Sequence, residues 1–238
     1  MNIAELTIAP RFCGPPDSGN GGYVAGLFAN YAAAPVAVRL LRPLPLGVPL
    51  GLSRGGEDGL ELRQGERLLA EATCTEFELQ VPATPSFAAA SEAALRYAGR
   101  DQHPSPQCFV CGPGRSPGDG LRLATGTLDG DDPSGLFAAP WVPAPSLAGT
   151  RGAVRPEFLA AALDCPGYFA VSTDARMRLL GLMTLRIDGT IAVGERAVVV
   201  AWSLGGQGRK RRAATAVYAA SGACVARAIS TWIELKSG

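Results

Sequence analysis

The sequence predicts an α+β protein, because an apolar helix followed by several period-2 strands occurs twice along the chain. The first helix is expected over residues 21–33 and the second over residues 156–165. The 30 glycines and 19 prolines supply the many turns that short antiparallel strands need. These observations favour antiparallel strands and loops over long helices.

Each predicted helix has its own start signal. Asn20 can cap the first helix, and Gly21 and Gly22 give that helix unobstructed backbone N–H groups. Pro156 suits the first turn of the second helix, and Pro166 is expected to stop or kink its far end. The glycine-rich start therefore belongs to the first half alone.

The last predicted strand of each half carries an internal repeat. Residues 69–79 align without gaps on residues 225–235, and 5 of the 11 positions are identical. Chance similarity between two amphipathic strands is the alternative, but the matching order of elements favours a repeat. The predicted strands cover residues 36–41, 49–53, 60–63 and 67–79 in the first half, and 182–187, 197–204, 213–219 and 224–235 in the second.

The repeat predicts three segments along the chain. They are a first repeat over residues 1–81, a linker over residues 82–106 and a second repeat over residues 107–238. Prolines in the linker bracket a stretch that can form a short helix.

The composition excludes several classes of protein. With 47% hydrophobic and 18% charged residues the chain is globular, and a net charge of +1 gives no electrostatic case for a nucleic-acid or membrane partner. The N-terminus lacks a signal-peptide pattern, and no apolar stretch reaches the ~20 residues of a membrane span. We therefore expect a cytoplasmic protein whose 6 cysteines are reduced.

Three motifs carry a resemblance to a known family. Residues 20–27 read NGGYVAGL, residues 108–113 read CFVCGP, and residues 118–123 read GDGLRL, which is expected as a strand. Together they resemble the hotdog-fold thioesterase superfamily, and two copies in one chain resemble the double-hotdog acyl-CoA thioesterases. The resemblance covers nearly the whole chain apart from the linker. It implies a tandem double hotdog, with two central helices each wrapped by an antiparallel sheet.

The same resemblance implies one composite catalytic site. In hotdog thioesterases the glycine-rich helix start supplies oxyanion donors, and a carboxylate often projects from the middle of the partner's helix. Nine residues after Asn20 the first half has Ala29, and nine residues after Arg155 the second half has Asp164. The resemblance thus implies Gly22, with Tyr23, as donor and Asp164 as nucleophile or general base. The mirror-related site at Ala29 would be inactive.

Structural alternatives accompany these assignments. Asp164 precedes turn-forming residues, so it could belong to a helix end, although burying an acid in an apolar run is costly without a partner. Asn20 reads first as a helix cap, which positions the same N–H groups. Asn20, Gly21 and Tyr23 are the substrate-binding candidates around the helix start.

Relatives with the double fold often place a hydroxyl and a glutamine near the acid. The hydroxyl candidates here are Thr184, Ser230 and Thr231, and the glutamine is absent. Arg209, Lys210 and Arg211 lie in a predicted hairpin and could contact the phosphates of coenzyme A. The alternative for this run is a solvated charged turn.

One further cluster could bind a metal ion. His103, Cys108 and Cys111 could begin a zinc site with Cys13 as the fourth ligand, whereas the simpler interpretation makes both CxxC cysteines loop and strand residues. No resident metal or cofactor is predicted, and coenzyme A is expected as part of the substrate. His103 is the only histidine, which counts against the Asp–His pair of hotdog hydratases.

The leading functional hypothesis is hydrolysis of a small-molecule acyl-CoA thioester by Asp164. The alternative is an acyl-CoA or fatty-acyl binding protein of the same fold that has no catalytic activity. A structural zinc module is a third hypothesis. The family resemblance also allows further pairing into a homo-oligomer.

Overall fold

The computed structural model describes residues 2–33, 35–56, 59–128, 135–172 and 176–235, whose strands form a single antiparallel sheet. The strands are β1 (Asn2–Thr7), β2 (Val36–Leu40), β3 (Pro49–Gly55), β4 (Gly59–Gln64), β5 (Arg67–Cys74), β6 (Gly126–Thr127), β7 (Phe137–Trp141), β8 (Arg178–Ile187), β9 (Ala197–Gln207), β10 (Lys210–Tyr218) and β11 (Cys224–Glu234). The helices are α1 (Gly21–Ala29), α2 (Phe87–Ala94), α3 (Pro156–Ala162) and α4 (Cys165–Val171). A large antiparallel sheet with few helices confirms the predicted α+β class.

The strand order is nearly symmetric about the β2–β8 pair. Across the sheet it runs β1-β3-β4-β5-β2-β8-β11-β10-β9-β7-β6. Moving outward from β2 gives β5, β4, β3 and β1, and moving outward from β8 gives β11, β10, β9 and β7. At the centre Val36 pairs with Leu185 and Val38 with Met183, so the two halves share one continuous hydrogen-bonded sheet.

Several strand bounds differ from the prediction, and the largest differences concern β5 and the GDGLRL segment. Strand β5 ends at Cys74, not at residue 79, because its partner β2 begins at Val36, whereas β8 extends far enough to pair with β11 up to Glu234. The GDGLRL segment forms no strand. Arg122 has a left-handed φ of 52°, and the N–H groups of Leu121 and Leu123 bond to the irregular backbone at residues 109 and 110.

The predicted second helix is two helices. The chain leaves helical geometry at Asp164, with φ −81° and ψ −84°, and helix α4 begins one residue later. Of the two effects predicted for Pro166, a stop or a kink, the structure has a break at Asp164, and Pro166 lies in the first turn of α4, where a missing N–H costs no hydrogen bond. Helix α1 is also shorter than predicted and ends at Ala29.

Glycines allow helices α1 and α3 to pack with their backbones close together. A Cβ atom on Gly22 would lie 2.7 Å from Ala160 O, and one on Gly26 would lie 2.4 Å from Glu157 Cα. Both helices bury their apolar side chains, including Phe28 and Phe158, in the main core beneath the sheet. This contact brings the start of α1 against the end of α3.

Helix α2 covers the opposite face of the sheet. Ala90 and Ala93 pack with Val198, Val200 and Tyr218 in a separate small core. These strand residues alternate with residues of the main core, such as Val199 and Val217, so the two cores lie on different sides. No helix in the described ranges is long and apolar enough to cross a membrane.

Candidate active site

The carboxylate of Asp164 lies against the start of helix α1. Its Oδ2 accepts a hydrogen bond of 2.7 Å from Asn20 Nδ2 and one of 2.8 Å from the backbone N–H of Gly22. Asn20 also caps α1, because its Oδ1 accepts from Tyr23 N at 2.9 Å. Asn20 therefore caps helix α1 and also binds the carboxylate of Asp164.

Asp164 is buried, with 3% of its surface exposed, and its two oxygens have different surroundings. Oδ2 accepts both hydrogen bonds, while Oδ1 has no hydrogen-bond partner among the described residues. Burial raises the pKa of Asp164 to about 7 and outweighs the hydrogen bonds from Gly22 and Asn20, which lower it. The side chain does not cap α4, so its position at the helix junction does not explain its burial.

A cavity of about 600 Å³ reaches Asp164. Most of its lining is apolar. The loop at residues 14–19, the start of α1 and residues of β8 and β11 all contribute to the lining. Its apolar lining includes Leu40, Leu44, Tyr168, Phe169, Leu179, Leu180 and Trp232.

The donors at the start of α1 differ from the prediction. Gly22 N–H, the predicted oxyanion donor, bonds to Asp164. Gly21 N–H has no hydrogen-bond partner in the described part of the chain, and Gly21 lines the cavity. The first residues of a helix leave their N–H groups free of intrahelical bonds, so Gly21 is the available donor.

Tyr23 is a core residue and not a cavity residue. Its ring stacks on Phe12 with centroids 4.3 Å apart and lies 5.9 Å from the ring of Phe158. Burial, followed by the charge of Glu157, raises the pKa of Tyr23 to about 12. Its side chain therefore does not meet the substrate-binding prediction, while its backbone N–H anchors the Asn20 cap.

The three hydroxyl candidates lie on two faces of the sheet. Thr184 lies between Met183 and Leu185, whose side chains are in the main core, so its own side chain points to the opposite face. Thr231 also faces away from the core, whereas Ser230 is fully buried and its Oγ has no partner among the described residues. Only Ser230 remains on the face that carries Asp164.

The basic run lies away from the acid. Arg209 donates to Glu234 O at 3.0 Å, and Arg211 donates to Gly208 O at 2.7 Å within its own hairpin. Lys210 lines a separate cavity on the other face, together with Thr231. None of the three residues lines the cavity at Asp164, and their contact with the phosphates of coenzyme A stays a prediction.

The mirror-related position lacks the same chemistry. Ala29 stands where the second half has Asp164, and the nearby Glu157 pairs with Arg155 at 3.3 Å and accepts from Asn30 at 3.2 Å. The Glu157 carboxylate is therefore held in an ion pair with Arg155.

Thiol groups gather next to the acid. The sulfurs of Cys108, Cys111 and Cys165 all lie within 4.8 Å of one another, and all three residues line the same cavity. Hydrogen bonds from the neighbouring thiols of Cys111 and then Cys165 hold the pKa of the Cys108 thiol well below its usual range. Cys13, the predicted fourth zinc ligand, instead donates to Gln107 O at 3.1 Å, and Cys165 occupies the cluster.

No pattern in the sequence predicted that Cys165 and Trp232 belong to the site. Cys165 joins the thiols from 57 residues away, and no local spacing indicates that contact. Trp232 lines the cavity with an indole N–H that has no partner among the described residues. A bulge between Thr231 and Trp232 sets which side chains of β11 face inward, and sequence alternation alone does not show it.

Solved structures of low sequence identity share this fold. The tesB protein of Mycobacterium avium subspecies paratuberculosis is 15% identical, with a TM-score of 0.60 over 92% of this chain and 88% of that one. The acyl-CoA thioesterase II TesB2 of Mycobacterium marinum is 11% identical, with a TM-score of 0.58 over 98% of this chain and 93% of that one.

A third similar structure is described as a hot dog fold. A conserved protein of unknown function with a hot dog fold from Alicyclobacillus acidocaldarius is 13% identical, with a TM-score of 0.62 over 98% of this chain and 93% of that one. No family model matches the sequence, and no curated protein matches it. The chain therefore has the hotdog fold of these proteins, as the sequence motifs predict.

Proposed function

We propose that the protein hydrolyses an acyl thioester of coenzyme A, with Asp164 as the general base. One observation carries the proposal: a buried carboxylate at the wall of a largely apolar cavity uses only one oxygen for structural hydrogen bonds. Asn20 and Gly22 hold Oδ2, so the orientation of the carboxylate is fixed, and the buried Oδ1 has no hydrogen-bond partner among the described residues and is the oxygen left to act as the base.

The reaction needs a single attacking water. Asp164 Oδ1 accepts a proton from that water as its oxygen bonds to the thioester carbonyl carbon. The carbonyl oxygen becomes an oxyanion, and its collapse breaks the carbon–sulfur bond. The leaving thiolate then takes the proton from Asp164, which releases the acid and the thiol and restores the carboxylate.

The developing oxyanion has two candidate donors at the cavity. Gly21 N–H stands at the positive end of the α1 dipole, and Trp232 Nε1–H is buried without another partner among the described residues. Gly22 supports the reaction indirectly, because its N–H positions Asp164. Removal of an oxyanion donor costs about 10²–10³-fold in kcat in other hydrolases.

We also propose that the fold is a tandem double hotdog produced by internal duplication. The nearly symmetric strand order supports this, as does the central register, in which Val36 pairs with Leu185 and Val38 with Met183. The proposed boundaries are residues 1–81, 82–106 and 107–238. Helix α1 is the central helix of the first repeat, and helices α3 and α4 together form that of the second.

Acyl-CoA binding without turnover is the second candidate. The N–H of Gly22 is bonded to Asp164 rather than open to a carbonyl oxygen, and the basic hairpin lies elsewhere. In this alternative the cavity holds an acyl chain and Asp164 only stabilises the helix junction. The two candidates differ in whether bound thioester is cleaved.

The test is thiol release from a panel of acyl-CoA esters of increasing chain length. Asp164→Asn keeps the size of the side chain and removes the base, so hydrolysis should fall by about 10²–10⁴-fold while binding remains. Glu157→Gln is the matched control, because it neutralises the other buried carboxylate at these helices. Saturable binding without thiol release from any ester would favour the binding protein, and equal rates for Asp164→Asn and the native chain would refute the mechanism.

Single turnover in ¹⁸O-labelled water separates general-base attack from nucleophilic attack. General-base attack puts the label in the released acid during the first turnover. Attack by the carboxylate itself would put the label in Asp164, detectable in the peptide that contains it.

A further inference from the structure

The thiol cluster beside Asp164 has the composition and spacing of a metal site. Cys108 Sγ lies 3.6 Å from Cys165 Sγ, and the three sulfurs of the cluster lie within 4.8 Å of one another. The third sulfur belongs to Cys111, and all three residues are buried. Two separate chain segments converge here, the CxxC turn and the first residue of α4, so local sequence does not account for the contact.

The CxxC turn presents its sulfurs toward one point. The Sγ atoms of Cys108 and Cys111 lie within 4.8 Å of each other, although these residues are three positions apart in the chain. The following Gly112 is required by the tight turn, because a Cβ there would lie 2.5 Å from Pro106 O and 2.6 Å from Cys108 O. The turn is therefore built to hold two sulfurs on one side.

His103 supports the cluster through a hydrogen bond. The N–H of Ser105 donates to His103 Nδ1 at 2.9 Å, so Nδ1 carries no proton and the neutral ring has its proton on Nε2. Nε2 lies 3.2 Å from Cys111 Sγ, which makes it a donor to that sulfur. This arrangement assigns His103 to the support of a thiolate ligand and not to direct coordination.

We propose that Cys108, Cys111 and Cys165 bind one zinc ion, whose fourth coordination position opens into the cavity beside Asp164. Zinc takes four ligands in a tetrahedron and accepts thiolates readily, and three protein ligands with one open position are typical of zinc sites that contact a water or a substrate. On binding, each thiol that is still protonated releases its proton to solvent. The three ligands line the same cavity as the acid, so the open position is accessible to whatever the cavity holds.

This site is independent of the proposed hydrolysis. Asp164→Asn should leave the zinc content unchanged, because the carboxylate is not among the ligands. A failure of the hydrolase proposal would therefore not remove the metal, and the absence of metal would not remove the base.

The test is metal analysis of the full chain, purified without a histidine tag under reducing conditions. We expect one zinc per chain in the native protein and its loss in Cys108→Ser and Cys165→Ser. Cys13→Ser is the matched control, because Cys13 is also buried but lies outside the cluster, and it should keep the metal. His103→Ala should keep one zinc per chain with an affinity about 10–100-fold weaker.

Cobalt titration of the native chain gives a readout that does not depend on the folding of variants. After removal of bound metal, Co²⁺ should produce thiolate-to-metal charge-transfer absorption and the intense visible bands of tetrahedral coordination, and Zn²⁺ should displace them. If cobalt gave no more than the weak spectrum of octahedral coordination, the proposal would be overturned. A mass two hydrogens below that of the reduced chain, with Cys108 linked to Cys165, would also overturn it.

Discussion

The substitution Gly22→Ala tests the close contact that forms the candidate site. An added Cβ would lie 2.6 Å from Asp164 Cβ, 2.7 Å from Ala160 O and 3.1 Å from Ala161 Cα. Carbon atoms that are not bonded normally stay about 3.5–4.0 Å apart, so the new methyl overlaps its neighbours by roughly 1 Å. Two of these neighbours are backbone atoms, which cannot rotate away, and the third belongs to the acid.

The expected cost follows from overpacking. Inserting a methyl into a tightly packed contact destabilises by about 1–3 kcal/mol. For a domain of this size that loss corresponds to a fall of roughly 2–12 °C in Tm. The methyl also pushes Asp164 from its bond with the residue 22 N–H, and a misplacement of about 1 Å in a catalytic group can cost roughly 10²-fold in rate.

Thermal or urea unfolding measures the stability of the variant, and thiol release measures its activity. Gly26→Ala is the matched control. Its Cβ would lie 2.4 Å from Glu157 Cα and 2.8 Å from Ala160 Cβ, and Asp164 is not among its nearest neighbours. Both variants should lose similar stability, and only Gly22→Ala should lose most of its hydrolysis. A Gly22→Ala protein with native stability and native turnover would refute the close contact.

Three further substitutions probe the surroundings of the acid. Asn20→Ala removes the α1 cap and should lower the free energy of unfolding by about 1 kcal/mol in urea titrations, and an unchanged value would argue against the cap. Leu180→Trp adds bulk to the cavity wall and should raise KM for long acyl-CoA esters more than for short ones, whereas a uniform change would place the acyl chain elsewhere. Thr184→Val changes a side chain on the opposite face and should alter kcat/KM by no more than the equivalent of about 0.5 kcal/mol, and a larger loss would return Thr184 to the candidate catalytic residues.

Local sequence signals predicted most of the elements, but they missed strands β1, β6 and β7 and several boundaries. The glycine-rich start and Asn20 marked the beginning of α1 correctly because a helix cap depends on neighbouring residues alone. The break at Asp164 was missed because Pro166 reads equally as the end of one helix and the first turn of the next. Strand β5 was predicted too long because its end depends on the length of β2, which lies far away in sequence.

The candidate site was predictable where residue type limits the chemistry. The family resemblance implied that Asp164 and Gly22 belong to one site, and the two residues are hydrogen-bonded. Which N–H remains free was not predictable, because Gly22 and Gly21 differ only in tertiary contacts. Cys165 lies in the site because of helix packing, and Trp232 lies there because of a strand bulge. Neither feature can be predicted from the local sequence.

A double-mutant cycle in kcat/KM tests most directly whether the two halves form one site. Asn20 belongs to the first half and Asp164 to the second, and Asn20 Nδ2 donates to Asp164 Oδ2 at 2.7 Å. If Asn20 acts by orienting the acid, Asn20→Ala should slow the native enzyme but have no further effect in Asp164→Asn. Independent losses that multiply in the double variant would contradict a shared site.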